Sequence, residues 1–128
     1  MTILFLDDDP CRAAIAYQRM AEKERDAVIW CTTVEETIIT LWDYRDTLEK
    51  AMLDHDLGGA QYVNSKREDC GMEIVRYLEK LSKSELEEFE KFKKTQFIIH
   101  TFNTYAGLKM TERLIKIGLM AIYRPFGT

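Results

Sequence analysis

The sequence predicts an α/β domain in which five parallel strands alternate with helices that cover both faces of the sheet. Three observations carry that expectation. Short apolar runs rich in strand formers recur along the chain, segments with apolar residues at helical spacing separate them, and the runs are continuously apolar, as burial on both faces requires. With 128 residues, 46% of them apolar, the chain can bury one real core and is too short for two ordinary domains, so residues 1–128 read as a single domain.

Residues 2–7, TILFLD, form the first strand. Residues 9–24 switch to helical spacing, with Ala13, Tyr17, Met20 and Ala21 on one side, Asp9 as cap and Pro10 in the first turn. Residues 27–31, AVIWC, form the second strand. A helix over 33–48 opens on a capping box of Thr33 and Glu36 and turns Val34, Ile38, Leu41 and Leu48 inward. KAMLD, residues 50–54, is the third strand, and a polar loop follows over 55–69, in which Gly58 and Gly59 allow a sharp turn. The next helix spans 70–81, with Ile74, Val75, Leu78 and Leu81 in phase, and another spans 84–94 behind a second capping box, Ser84 with Glu87. TQFIIHT, residues 95–101, is the fourth strand; 105–117 form the last major helix, with Met110, Leu114 and Ile117 aligned; and 118–128 hold the fifth strand and its exit. Trp30 and Trp42 pack in the core or cover its edge, Met72, Met110 and Met120 fill the core, and Gly107 is either a tolerated helix glycine or a point where a ligand approaches the backbone.

Charge and cysteine content narrow the function. Eighteen basic residues against 22 acidic ones give a net charge of −4, with no basic run that would follow a nucleic-acid backbone. Broad nucleic-acid binding is disfavoured, although recognition of one terminal phosphate is not. Cys11, Cys31 and Cys70 are odd in number and lack metal-ligand spacing, so no disulfide framework or zinc site is expected and a reducing cytoplasm fits. The apolar run before Asp7 is too short for a signal peptide, and no run reaches the roughly 20 residues needed to span a bilayer.

In open parallel sheets, ligands bind beyond the carboxyl ends of the strands, where strand order reverses. The first strand ends in Asp7, Asp8 and Asp9, the third in Asp54, His55 and Asp56, the fourth in His100, Thr101 and Asn103, and the fifth in Arg124 and Pro125. Both histidines of the chain fall on this rim. Asp9 and Asn103 also suit helix caps. Several carboxylates in one crevice repel each other unless a proton or cation intervenes, and hard oxygen ligands suit Mg²⁺ or Mn²⁺, so Asp8 and Asp54 are expected to share a divalent ion. Thr101 and Asn103 offer neutral hydrogen-bonding groups, and Arg124 a planar cationic fork, to a phosphoryl group beside it.

These segments resemble the response-regulator receiver (CheY-like) superfamily: ILFLDDDP for the acidic pair, AMLD for the phosphoacceptor strand, CGMEIV for the start of the third helix, FIIHT ending in the hydroxyl residue, and GLMAIYRPF for the last strand with its cation and proline. The resemblance implies a flavodoxin-like sheet of order 2-1-3-4-5. It also implies that Asp7 and Asp8 hold the metal, Asp54 takes or faces the phosphoryl group, Thr101 hydrogen-bonds it, and Arg124 stands where the family has lysine. Three departures stand out: HDLGG and a lengthened loop in place of Met-Pro, Arg for Lys, and a chain that stops at Thr128 with the final helix missing. MLDHDLGG and IHTFNTYAGLKM resemble more closely a cyclic-phosphate processing branch, marked by LDHDLG and by a His, a hydroxyl residue and an Asn after the fourth strand. Asp56, on the same rim, joins Asp7, Asp8 and Asp54 as an expected metal-binding acid.

The leading expectation is a metal-dependent cyclic phosphodiesterase acting on a phosphorylated small molecule, a 2′,3′-cyclic nucleotide or an RNA end. There the metal polarises the phosphoryl oxygens, Thr101, Asn103 and Arg124 orient them, and His100 or His55 moves the proton. The alternative is a phosphorelay receiver phosphorylated on Asp54 by a histidine kinase. A third is a non-catalytic interaction module that keeps only the fold.

Overall fold

In the computed structural model, residues 1–57 and 63–126 are described. The strands β1 (Thr2–Leu6), β2 (Val28–Cys31), β3 (Leu48–Leu53), β4 (Gln96–Ile99) and β5 (Met120–Tyr123) lie parallel in the order β2-β1-β3-β4-β5. The chain leaves β1 for β2 on one side and returns to β3 on the other, so the reversal of strand order falls between β1 and β3. The helices are α1 (Pro10–Arg19), α2 (Glu22–Arg25), α3 (Val34–Asp43), α4 (Met72–Ser84), α5 (Leu86–Glu90) with a 3₁₀ turn (Lys91–Lys94), and α6 (Thr104–Lys116). Among the described residues α6 is the last helix, and none is long and apolar enough to cross a membrane.

Strand side chains alternate between faces, and the two faces are covered unequally. Leu4, Leu6, Ala51, Leu53, Phe97 and Ile99 join Leu41, Val75, Leu78, Phe92, Met110 and Leu114 of the helices in one continuous core. Ile3, Phe5, Met52 and Ile98 point the other way, beneath α1, whose only fully buried residue is Ala16. Two grooves flank that helix, about 360 Å³ against Val28 and Trp30 and about 250 Å³ against Met52, Ile98 and Arg124.

Several boundaries differ from expectation, each for a local reason. The helix over 9–24 is broken: Met20 and Ala21 are extended, because the Arg25 guanidinium reaches back to donate to the carbonyls of Tyr17 and Gln18 and Glu24 caps the Ala21 N–H. Met20 and Ala21 therefore belong to no helical stripe. The helix from Thr33 ends at Asp43, and Leu48 opens β3 and is buried there rather than on the helix. Ser84 does not cap a new helix; it is the last residue of α4, its hydroxyl donating to the Lys80 carbonyl, and α5 starts from Glu85 without a side-chain cap. Of the Thr33–Glu36 box, the Thr33 hydroxyl caps the Glu36 N–H as expected, while the Glu36 carboxylate accepts from the Thr32 and Thr33 hydroxyls; the Asp9 cap before Pro10 forms as expected. Trp42 packs against the core, Trp30 is half exposed on edge strand β2, and Met120 is 48% exposed on edge strand β5 rather than core filler. Gly58 and Gly59 lie outside the described residues.

Candidate functional site

Register places the acids. Phe5 pairs with Met52, and Met52 with Ile98, in the parallel ladder. Two residues further along each strand, on the same face, stand Asp7, Asp54 and His100, which the alternation of side chains brings into one row. Carboxylate oxygens of Asp7, Asp8 and Asp54 lie within 4.8 Å of one another. Asp7 is fully buried, Asp54 nearly so, and Asp8 partly exposed.

A positive charge of the chain's own stands among them. Arg12 grips Asp7 with a two-pronged fork: Nε donates to Oδ2 at 2.8 Å and Nη2 to Oδ1 at 2.9 Å. The Asp9 N–H donates to the same Oδ1 at 2.9 Å. Nη2 also lies 3.5 Å from Asp54 Oδ2 and 3.8 Å from Asp8 Oδ1, and Nη1 lies 3.6 Å from Asp9. The acids hold the guanidinium more firmly protonated than usual. Sequence reasoning passed over Arg12 because it is not on the apolar stripe of its helix. The signal was there: helical side chains lean toward the N-terminus, so a residue in the first turn after a strand end reaches back over that end. A cation in a first turn also opposes the helix dipole and needs another reason to be there.

Burial, then the nearby Asp7 charge, push the Asp54 carboxyl up to about 7, against the opposing pull of the His55 N–H, Arg12 and the Thr101 hydroxyl. The His55 N–H donates to Asp54 Oδ1 at 2.8 Å. Thr101 is buried beside Asp54, and its hydroxyl accepts from the Asn103 N–H at 3.1 Å.

The two histidines occupy different settings. His100 is 3% exposed, with its ring stacked on Phe5 at 5.0 Å between centroids. Its Nε2 donates to the Leu6 carbonyl at 3.0 Å, leaving Nδ1 turned toward Asp7 Oδ2 at 3.8 Å. Burial drives its pKa down, with Asp7 opposing. His55 is fully buried; Nδ1 meets Asp56 Oδ1 at 2.6 Å, so it carries a proton, and Nε2 meets Ser65 Oγ at 3.0 Å. Burial works against its charge, but Cys70 and Asp56 outweigh that and raise its pKa.

Asp56 serves a different cluster from the other acids. Its Oδ1 accepts from His55, from the Val63 N–H at 3.0 Å and from Asn103 Nδ2 at 3.3 Å, while Asn103 Oδ1 caps α6 by accepting from the Ala106 N–H. That network ties His55, Asp56, Val63 and Ser65 to the start of α6. Arg124 is exposed and lines the 250 Å³ groove with Arg19 and Lys50; among the described residues, the ion pair to Asp54 comes from Arg12.

Two glycines and a tyrosine set the frame. A Cβ on Gly71 would stand 2.0 Å from the Asp54 carbonyl oxygen, and the Gly71 N–H donates to the His55 carbonyl at 2.9 Å, so the approach to α4 clamps the backbone that carries Asp54. A Cβ on Gly107 would stand 2.4 Å from the Tyr123 ring; the close approach there is to Tyr123, not to a ligand. The Tyr123 hydroxyl in turn donates to the Thr101 carbonyl at 2.9 Å.

A doubly wound sheet of this order with acids at its switch point is the arrangement of receiver domains. The cyclic-phosphate processing receiver domain model matches residues 2–116, and the chain belongs to that family. A similar solved structure is the signal receiver domain of a protein described as a Luxo repressor from Vibrio parahaemolyticus, 17% identical, with a TM-score of 0.56, covering 97% of this chain and 78% of that one. At that identity the likeness speaks for the fold alone. None of the curated proteins compared matches the chain.

Proposed function

We propose that the pocket of Asp7, Asp8 and Asp54 takes a divalent cation, Mg²⁺ or Mn²⁺, with a phosphoryl group, and that the domain opens cyclic phosphates such as 2′,3′-cyclic nucleotides or RNA ends. The observation that carries this reading is the convergence of three carboxylates within 4.8 Å at the reversal of strand order. Their hard oxygen donors fit such an ion. When bound, the ion supplies positive charge that draws the phosphoryl oxygens into an otherwise acidic pocket. The chain's own groups do the rest: Asp54 and Thr101 would face the phosphoryl group, Arg12 is the cation paired to Asp54, and Tyr123 fixes the segment that carries Thr101.

Ring opening adds water to phosphorus, breaks one P–O ester bond, and passes the water's proton to the departing sugar oxygen. His100 can serve that transfer only through Nδ1, since Nε2 is given to Leu6. His55 has both nitrogens engaged and contributes by holding Asp56 and Ser65. Arg124 and Asn103 flank the site, Arg124 as a second cation at the rim and Asn103 as the cap that sets the start of α6. Incubation with 2′,3′-cyclic nucleotides or RNA ending in a cyclic phosphate, with Mg²⁺ or Mn²⁺, should release the monoester, and Asp54→Asn should abolish the release. No release from either substrate class with either metal would refute the reaction.

The placement of Asp54 next to Thr101 and the acidic pair also suits a phosphoacceptor serving a histidine kinase in a phosphorelay. Under that reading a small phosphoryl donor with Mg²⁺ adds one phosphoryl group to wild type and none to Asp54→Asn, as read by intact mass.

A further inference from the structure

We propose that Arg12 is a displaceable internal counter-ion: a divalent cation entering the pocket must push its guanidinium aside, and the displaced guanidinium, kept over the face of Phe102 on which it already lies, becomes the phosphate-binding cation of the loaded site. This rests on the metal-binding reading above and adds to it a competition between two positive charges for one set of oxygens.

The geometry leaves little choice. Both oxygens of Asp7 are engaged, Oδ1 by Arg12 Nη2 and the Asp9 N–H, Oδ2 by Arg12 Nε. Nη2 simultaneously lies 3.5 Å from Asp54 and 3.8 Å from Asp8, which puts it amid the three carboxylates. A guanidinium has no lone pair to offer a metal. An ion bonded to these oxygens at about 2.1 Å would sit against Nη2 with like charge and nothing between them. Whether the ion takes all three acids or only Asp8 and Asp54, the Arg12 head has to withdraw.

It has somewhere to go. Its side chain is 27% exposed, so the withdrawal is toward solvent rather than into the core. The ring of Phe102, itself 56% exposed, lies 5.8 Å from the guanidinium carbon and offers an aromatic face to a cation. Phe102 follows Thr101 in the chain, so a guanidinium resting there stays at the rim segment that carries the hydroxyl facing the phosphoryl group. Metal and phosphate are then coupled: metal alone binds against Arg12, whereas metal with phosphate gives Arg12 a new anionic partner, and each ligand strengthens the other.

Calorimetric titration of wild type and Arg12→Met with Mn²⁺ and Mg²⁺, with and without inorganic phosphate, tests this. We expect Arg12→Met to bind metal alone at least ten-fold tighter than wild type, and phosphate to tighten metal binding in wild type but not in the variant. Wild type that binds metal, beside a variant that binds it equally or more weakly, would overturn the displacement and leave the pocket standing. Failure of both proteins to take up metal would overturn the pocket and the displacement with it. Because Arg12→Met deprives buried Asp7 of its partner, the same question is put to wild type by nitrogen-15 NMR: the Arg12 Nε proton, held on Asp7, should exchange with water at least ten-fold faster once Mg²⁺ saturates the protein. Unchanged exchange in the metal-saturated protein would overturn the proposal.

Discussion

Replacing Asp54 by Asn should stabilise the metal-free protein at alkaline pH. The Asp54 carboxyl, ordinarily ionising near 3.8, is pushed up to about 7 by burial and by Asp7. A carboxyl whose folded pKa lies above its unfolded value binds its proton more tightly in the folded state, so folding is penalised progressively as pH rises between those two values and in full above them. The difference between 3.8 and about 7 corresponds to a penalty on the order of 4 kcal/mol. Asn keeps the acceptor for the His55 N–H and cannot ionise. Urea denaturation in EDTA at pH 5, 6, 7 and 8 should therefore show wild type losing stability relative to Asp54→Asn as pH rises, with Asp7, Arg12 and His100 common to both proteins. In saturating Mg²⁺ the order should reverse, because only wild type gains from the ion. Parallel pH profiles in EDTA, or a variant less stable than wild type at pH 8 without metal, would refute the reasoning.

Gly71→Ala forces a methyl group against the Asp54 carbonyl and should cost at least about 2 kcal/mol by urea denaturation, with weakened metal uptake, since the strained backbone carries the pocket's central acid. Gly107→Ala should cost about 1–3 kcal/mol through its clash with the Tyr123 ring; adding Tyr123→Ala should make the glycine replacement nearly free, and full additivity of the two costs would contradict the assigned contact. Thr33→Ala removes the cap on the Glu36 N–H and should cost about 1 kcal/mol, with no change in metal titration, since α3 contributes no acid to the pocket.

How far the sequence discloses the molecule depends on the range over which each feature is decided. The strands are legible because a parallel sheet buried on both faces needs continuous apolar runs, and TILFL and QFII can hardly be anything else. Leu48 misleads because it shares the phase of Val34 and Leu41 at whole heptads, while its strand identity comes from pairing with Thr2. The break after Arg19 depends on Arg25 folding back onto α1 carbonyls, and no local pattern announces that reach. Within the site, Asp7, Asp8, Asp54 and Thr101 are readable as polar residues at strand ends. Asp56 and His55 share that position but turn away into the loop, a choice set by Val63, Ser65 and Asn103. Tyr123 and Gly71 are invisible in advance because their roles exist only across the finished fold.

The two grooves along α1 have a mechanical meaning. The carboxylates are rooted at strand ends, whereas the cation that faces them rides on a helix with an open groove on either side. With Ala16 its one buried residue, that helix can rock with little repacking and carry Arg12 toward or away from Asp7 and Asp54. The anvil is rigid and the hammer is sprung; backbone amides of residues 10–19 should accordingly be among the first in the sheet-and-helix framework to exchange their hydrogens.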